Sequence, residues 1–292
     1  MNAYCFEKGF ALIQVLLLTA ILSVLVLYFT QTSRQQVAVA QYFNNNADAF
    51  IELTNVKNRL IFSLLTDSRV NNSAKANSGI IRNSYGEPFS FDDKIQVTVQ
   101  DQAGMLPIQF LDKNQLVSIL NTNGIQMQRS RQISEMLVDW IDVDNETSNY
   151  TDETSSYMYK ARNGYVQDLS DFLHIEGLIP EEYAIIRQSY TIHYPGFFNP
   201  ILAPDVLLQG LLSESLFMQV SSMRGSVDSY TEVFSETTGI VESGEVFFVP
   251  SNLIELELKY SGNDVILHKK WVISVEPYIS FKPPINYLEN RG

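Results

Sequence analysis

Residues 10–29 (FALIQVLLLTAILSVLVLYF) form a run of twenty residues without one ionised side chain. At about 1.5 Å rise per residue, a helix of this length spans the roughly 30 Å hydrocarbon core of a bilayer. A soluble core rarely needs so long an apolar helix, so the run points to a membrane. Four fates are open to it. A secretory signal wants a basic leader, a shorter apolar stretch and an Ala-x-Ala-like site behind it. Here Glu7 and Lys8 precede the run, and Thr30, Gln31, Thr32, Ser33 and Arg34 follow it. A lipoprotein signal would place its cysteine after the apolar stretch, whereas Cys5 precedes it. The remaining fates keep the run on the protein, as a plain anchor or as a segment cleaved in front of it.

The chain is long enough, at 292 residues, for an anchor plus one large or two small soluble modules. Its net charge is −13, which repels phosphate backbones and argues against nucleic acid as a partner. Cys5 is its one cysteine, so no disulfide can staple the soluble part. Lys8 before the run and Arg34 after it give only a weak orientation signal.

Beyond the run, Val37, Ala40, Phe43, Ala47, Phe50, Ile51, Val56, Leu60, Ile61, Leu64 and Leu65 recur at three- and four-residue steps, the stripe of an amphipathic helix. No proline interrupts residues 10–65, so the spacing predicts one helix of roughly 84 Å. The alternative is a break at Asn44-Asn45-Asn46, because asparagine is a poor helix former. Residues 67–94 are polar and rich in Asn, Ser and Gly, a loop; 95–99 alternate as a half-buried strand. Short helices are predicted at 112–120, 129–141, 166–175, 180–188, 203–212 and 214–223. Residues 254–260 and 265–275 alternate on either side of Ser261-Gly262-Asn263-Asp264, an antiparallel hairpin with one apolar face. That face needs a cover, which the amphipathic helix can supply. Pro277, Pro283 and Pro284 are expected to end the sheet.

The acidic window 135–182 holds twelve Asp and Glu residues against Lys160 and Arg162. Oxygen-rich loops suit a hard cation such as calcium. Counting Asp142 as position 1 of an EF-hand-like loop, Asp144 is position 3 and Glu153 position 12, while Thr147 stands where glycine is expected. Asp142, Asp144 and Glu153 are the ligand candidates; the other reading is a solvated acidic loop. Catalysis has little support. His174, His193 and His268 stand apart, and neither Gly-x-Ser-x-Gly nor His-Glu-x-x-His occurs.

Lys8-Gly9-Phe10 resembles the prepilin-peptidase site of type IV pilins and pseudopilins. Three later stretches resemble the K-type minor pseudopilin of the type II secretion system. Residues 97–108 (VTVQDQAGMLPI) are similar to its strand followed by Asp-Glu-x-Gly, with Pro107-Ile108 in place of Leu-Asn. Residues 136–144 (MLVDWIDVD) are close to its Asp-Trp-x-Asp-x-Asp, followed by Leu169-Ser170-Asp171-Phe172-Leu173 and Glu176-Gly177. Residues 198–207 (FNPILAPDVL) are like its Asn-x-Asn-Thr-Ala-x-x-x-Leu, with Pro200-Ile201-Leu202 substituted. The family's Gly-Ala-Glu before paired tyrosines has only Thr151-Asp152-Glu153 with Tyr157 and Tyr159 as its counterpart.

The resemblance implies an α+β type IV pilin-like fold: a long N-terminal transmembrane and amphipathic helix packed on a small antiparallel sheet, plus a large inserted α-helical domain. The implied division is a leader at 1–9, the helix at 10–66, a loop and first strand at 67–100, the helical domain at 101–225 and the β part at 226–292. It also implies cleavage by prepilin peptidase between Gly9 and Phe10, an N-methylated Phe10, calcium in the helical domain, and other minor pseudopilins as partners. The chain would sit in inner-membrane lipid as a single-pass protein with its soluble domain in the periplasm. Gln14 would be mature position five, where most pilins carry a glutamate that pairs with a neighbour's amino terminus; the K-type family lacks it and is placed at the fibre tip. The implied function is a non-enzymatic cap of the secretion pseudopilus. A minor pilin of a type IV pilus and a membrane-anchored periplasmic enzyme are the alternatives.

Overall fold

The computed structural model describes residues 7–67, 80–143, 162–224 and 230–291, with backbone alone for 7–9. The chain divides into two compact units, one made of Met1–Glu52 with Ser261–Leu267, the other of Leu53–Tyr260 with His268–Gly292. Helix α1 runs without a break from Glu7 to Thr66. The asparagine run does not interrupt it: Asn46 Nδ2 donates back to Tyr42 O at 2.8 Å, and Asn45 Nδ2 donates to Asn263 O at 3.2 Å.

In the first unit, all the large apolar side chains of 10–29 are exposed. The hydroxyls of Thr19, Ser23 and Thr30 donate to the carbonyls of Leu16, Thr19 and Val26 at 2.7–2.9 Å, so these polar groups are satisfied within the helix itself. The hairpin tip takes positive φ at Asn263 and Asp264, as a tight two-residue turn requires.

The second unit is built on a five-stranded sheet, β1 (Phe89–Ser90), β2 (Ile95–Asp101), β5 (Leu253–Gly262), β6 (Val265–Val275) and β7 (Ile285–Arg291), in the order β1-β2-β5-β6-β7. Strand β2 pairs antiparallel with β5, Val97 opposite Leu258, and β6 pairs antiparallel with β7. Alternation decides the faces: Ile95, Val97, Val99, Ile254, Leu256, Leu258, Trp271 and Ile273 are buried. The last turns of α1 are part of this unit, and there Leu53, Val56, Leu60 and Leu64 are no more than 5 % exposed. Each such burial stabilises by about 1.5–3 kcal/mol. Lys57 Nζ lies 5.3 Å from the ring centroids of both Trp271 and Tyr287, which ties α1 to β6 and β7.

The helical module comprises α2 (Lys113–Thr122), α3 (Met127–Ile141), α4 (Pro180–Ser189), α5 (Asp205–Leu211) and α6 (Glu214–Met223), with a short parallel pair, β3 (Leu106–Pro107) and β4 (Tyr190–Thr191). Leu116, Ile119, Ile133, Leu137, Trp140, Phe172, Leu207 and Val220 form its core. Starts follow capping chemistry: Asp112 accepts from Gln115 N at 2.8 Å, and Pro180 opens α4.

Three expectations need correction. Residues 166–175, expected as an α-helix, form a shorter 3-10 helix, Leu169–His174, capped by Asp168 and closed before Gly177 at φ +87°. The segment from 226, expected as β, opens on helix α7 (Tyr230–Thr238). The prolines do not end the sheet: they lie in the connection from β6 to β7, where Glu276 N donates to Pro284 O at 2.8 Å.

Candidate functional site

Gly9 and Phe10 lie within α1, and Gln14 is exposed on its surface one turn further on. Across 10–29 every residue is exposed, and Gln14 is the one amide among them. An amide facing hydrocarbon seeks a hydrogen-bonding group on another helix.

Of the three ligand candidates, Asp142 follows the last turn of α3, its N–H donating to Val138 O at 2.9 Å. Asp144 and Glu153 lie outside the described residues. Among the described residues no group of three or more His, Cys, Asp or Glu side chains could hold a metal ion. The acidic window is also less unbalanced in space than in sequence. Arg129, from before the window, donates to both carboxylate oxygens of Glu182 at 2.7 Å and to Gly177 O at 2.5 Å. The Glu182 hydrogen bond holds the Arg129 guanidinium above its ordinary pKa. Arg162 pairs with Asp171, and Arg291, from the end of the chain, pairs with Asp168.

Two of the quoted stretches meet in a buried seam. Asp101, 1 % exposed at the end of β2, accepts from Ala103 N at 2.9 Å, from Ser251 N at 2.9 Å and from Ser251 Oγ at 2.5 Å. Ala103 O accepts from Asn199 N at 2.7 Å, and Asn199 Oδ1 accepts from Ile201 N while its Nδ2 donates to Val249 O. Gln100 Nε2 donates to Leu202 O at 3.1 Å. Gly104 closes the seam: a Cβ there would stand 2.0 Å from Leu202 O. The residues matching Asp-Glu-x-Gly and the Asn-x-Asn-Thr stretch therefore join the helical module to the sheet. Sequence reading named these residues without finding that they touch each other and 249–251.

A second junction was not legible beforehand, since it uses β7. Arg291 pairs with Asp168 and Glu289, His193 Nε2 lies 3.3 Å from Glu289 Oε2, and Lys270 Nζ lies 2.9 Å from Glu255. Thr191 donates to the buried Gln102 Oε1 at 2.5 Å. The hydrogen bond from His193 holds the Glu289 carboxyl below its ordinary 4.5, against the upward push of burial and with help from Arg291 and Lys270. Burial pushes Asp168 up, but hydrogen bonds from Ser170 and Arg291 outweigh it and leave it below 3.8. Both folded pKa values are lowered, so the unfolded chain binds more protons in acid. Their contribution is present above the ordinary values and is lost as pH falls through the folded ones. Once the intrinsic exchange rate is divided out, amide protection in β7 is expected to fall between about pH 5 and pH 3, and Arg291→Ala to flatten that dependence. An unchanged profile in the variant would show that the clasp carries no weight.

Residues 99–194 match the family model for Type II secretion system (T2SS), protein K. The matched segment runs from the end of β2 through α4 and takes in residues 99–108 of the first stretch and all of the second. A chain in the crystal structure of the GspK-GspI-GspJ complex from the enterotoxigenic Escherichia coli Type 2 Secretion System aligns with 89 % of this chain and 98 % of its own length, at 17 % identity and a TM-score of 0.49. No curated protein sequence matches the chain. The segment 99–194, which leads from the central sheet into the helical module, is thus similar to the type II secretion system protein K family.

Proposed function

We propose that the chain is a non-enzymatic minor pseudopilin that caps the tip of the type II secretion pseudopilus and helps start its assembly for export of folded proteins. The observation that carries this reading is the segment similar to protein K on a chain whose α1 is apolar and exposed throughout residues 10–29. In the proposal, prepilin peptidase cuts between Gly9 and Phe10, Phe10 is methylated, and 10–29 rests in the inner membrane until assembly. The soluble part is periplasmic and meets other minor pseudopilins. Gln14, being neutral, makes no ion pair with a subunit ahead of it, which suits a terminal position.

The mature N-terminus, read by mass spectrometry from cells with and without prepilin peptidase, tests the reading. Phe10 is the expected first residue when the peptidase is present, and an intact Met1 in both strains would sink it. Co-purification with other minor pseudopilins is expected from the wild type.

Calcium held by Asp142, Asp144 and Glu153 is part of the same proposal. If it is bound there, chelation lowers the melting temperature of the wild type, and Asp144→Asn with Glu153→Gln removes that response. A melting curve indifferent to chelator and to added calcium would discard the site.

A further inference from the structure

Between Arg224 and Lys259 the sequence carries seven acidic residues and no Lys, Arg or His. Within this stretch, residues 245–249 form a strip that leaves a tight turn and bridges to the chain at Phe198 through Val246. Phe198 N donates to Glu245 O at 2.7 Å and Phe247 N to Phe198 O at 3.1 Å. The strip alternates in exposure. Phe248 faces inward and its ring meets Phe234 edge-on at 6.0 Å. Phe247 and Val249 face outward, 42 % and 45 % exposed, and Val241, a few residues earlier in the chain, is 58 % exposed. The outward Phe247 is held in place by Phe197, ring to ring at 5.8 Å and 88°. A tight turn at Gly244, φ +53°, and the acceptance of Phe248 N by Glu242 Oε1 at 2.7 Å fix the backbone.

The fold does not need these outward side chains, because Phe248 already supplies the strip's core contact. Rigid exposed aromatics beside apolar neighbours are what binding hot spots are made of, since little entropy is lost on docking. Charge narrows the occupant. Glu245 and Glu242 flank the apolar side chains, and no cation of the stretch offsets them. Anionic headgroups and nucleic acid are repelled. A second copy brings the same acidic strip and its own −13. An outward side chain at every second residue matches the period of an extended partner.

We propose that the strip 245–249, with Val241 and Phe197, docks an extended segment of another protein in which apolar side chains alternate with Lys or Arg. This stands independently of the tip assignment.

The test uses the full chain in zwitterionic nanodiscs, with empty discs as blank, and three labelled nonapeptides alternating Lys/Val, Glu/Val and Lys/Ser. Fluorescence anisotropy is expected to show binding of the Lys/Val peptide alone. Phe247→Ser with Val249→Ser, and separately Glu245→Lys, should each weaken it at least tenfold with an unchanged melting curve. Glu245→Lys keeps the test decisive if the double variant does not fold, since that side chain is exposed. Equal binding of all three peptides, or of wild type and Glu245→Lys, overturns the proposal. So does binding of anionic vesicles, or a concentration-dependent dimer, that is lost in these variants.

Discussion

Gly104→Ala is expected to destabilise the second unit by about 3 kcal/mol or more, because the new methyl has nowhere to go. Its Cβ would lie 2.0 Å from Leu202 O and 2.4 Å from the carbonyl carbon, both backbone atoms. Backbone cannot rotate aside as a flexible side chain does. Leu202 is itself held: its N–H donates to Asn199 O at 3.1 Å, and its carbonyl accepts from Gln100. Relief therefore requires parting the 3-10 turn Gln102–Gly104, which follows β2, from the 3-10 turn Pro200–Leu202. Chemical denaturation of the full chain, followed by near-ultraviolet circular dichroism, provides the measurement. Gly164→Ala is the control, since the nearest heavy atom to its Cβ is Arg162 O at 3.9 Å. Comparable midpoints for the two variants would refute the steric account.

Asp101→Ala should cost about 2–4 kcal/mol through a different mechanism. The carboxylate accepts from Ala103 N, Ser251 N and Ser251 Oγ, all at a position only 1 % exposed. Removing it leaves buried donors without their acceptor, which costs more than the hydrogen bonds contribute net. Asp101→Asn is the sharper variant. Its amide keeps one oxygen but turns an NH2 toward donors, so it should recover only a fraction of the loss. If Asn restored wild-type stability, the charge and double acceptance at Asp101 would be unimportant.

These two residues also show how far the sequence can be read. Asp101 and Gly104 stand out by their likeness to a family pattern, yet nothing in their spacing says that the glycine faces Leu202 or that the aspartate reaches Ser251, 150 positions away. Such contacts are chosen by packing. The acidic window teaches the same lesson from the other side. Counted along the chain it has two cations, but Arg129 and Arg291 arrive from outside it and engage Glu182 and Asp168. Helix α6, Glu214–Met223, begins and ends where its pattern predicts, since local apolar period and Ser213 before it agree. The 3-10 turn Leu169–His174 does not: Asp168 caps it by accepting from Ser170 N and pairs with the distant Arg291, and Phe172 is its one buried residue. Strand β7 was hidden by a sound local rule. Proline cannot donate within a ladder, but Pro283 and Pro284 precede the strand rather than sit in it.

The sequence by itself determined the elements whose cause is local. A twenty-residue apolar run, an unbroken helical stripe through Leu65 and period-two alternation at 254–275 each follow from which side chains can share a face. Tertiary structure alone decided how the helical module is joined to the sheet, through Asp101, Gly104, Asn199 and Ser251 on one side and Asp168, His193, Glu289 and Arg291 on the other. Those junctions depend on partners far apart in the chain, and local periodicity carries no information about which distant donor will meet which acceptor.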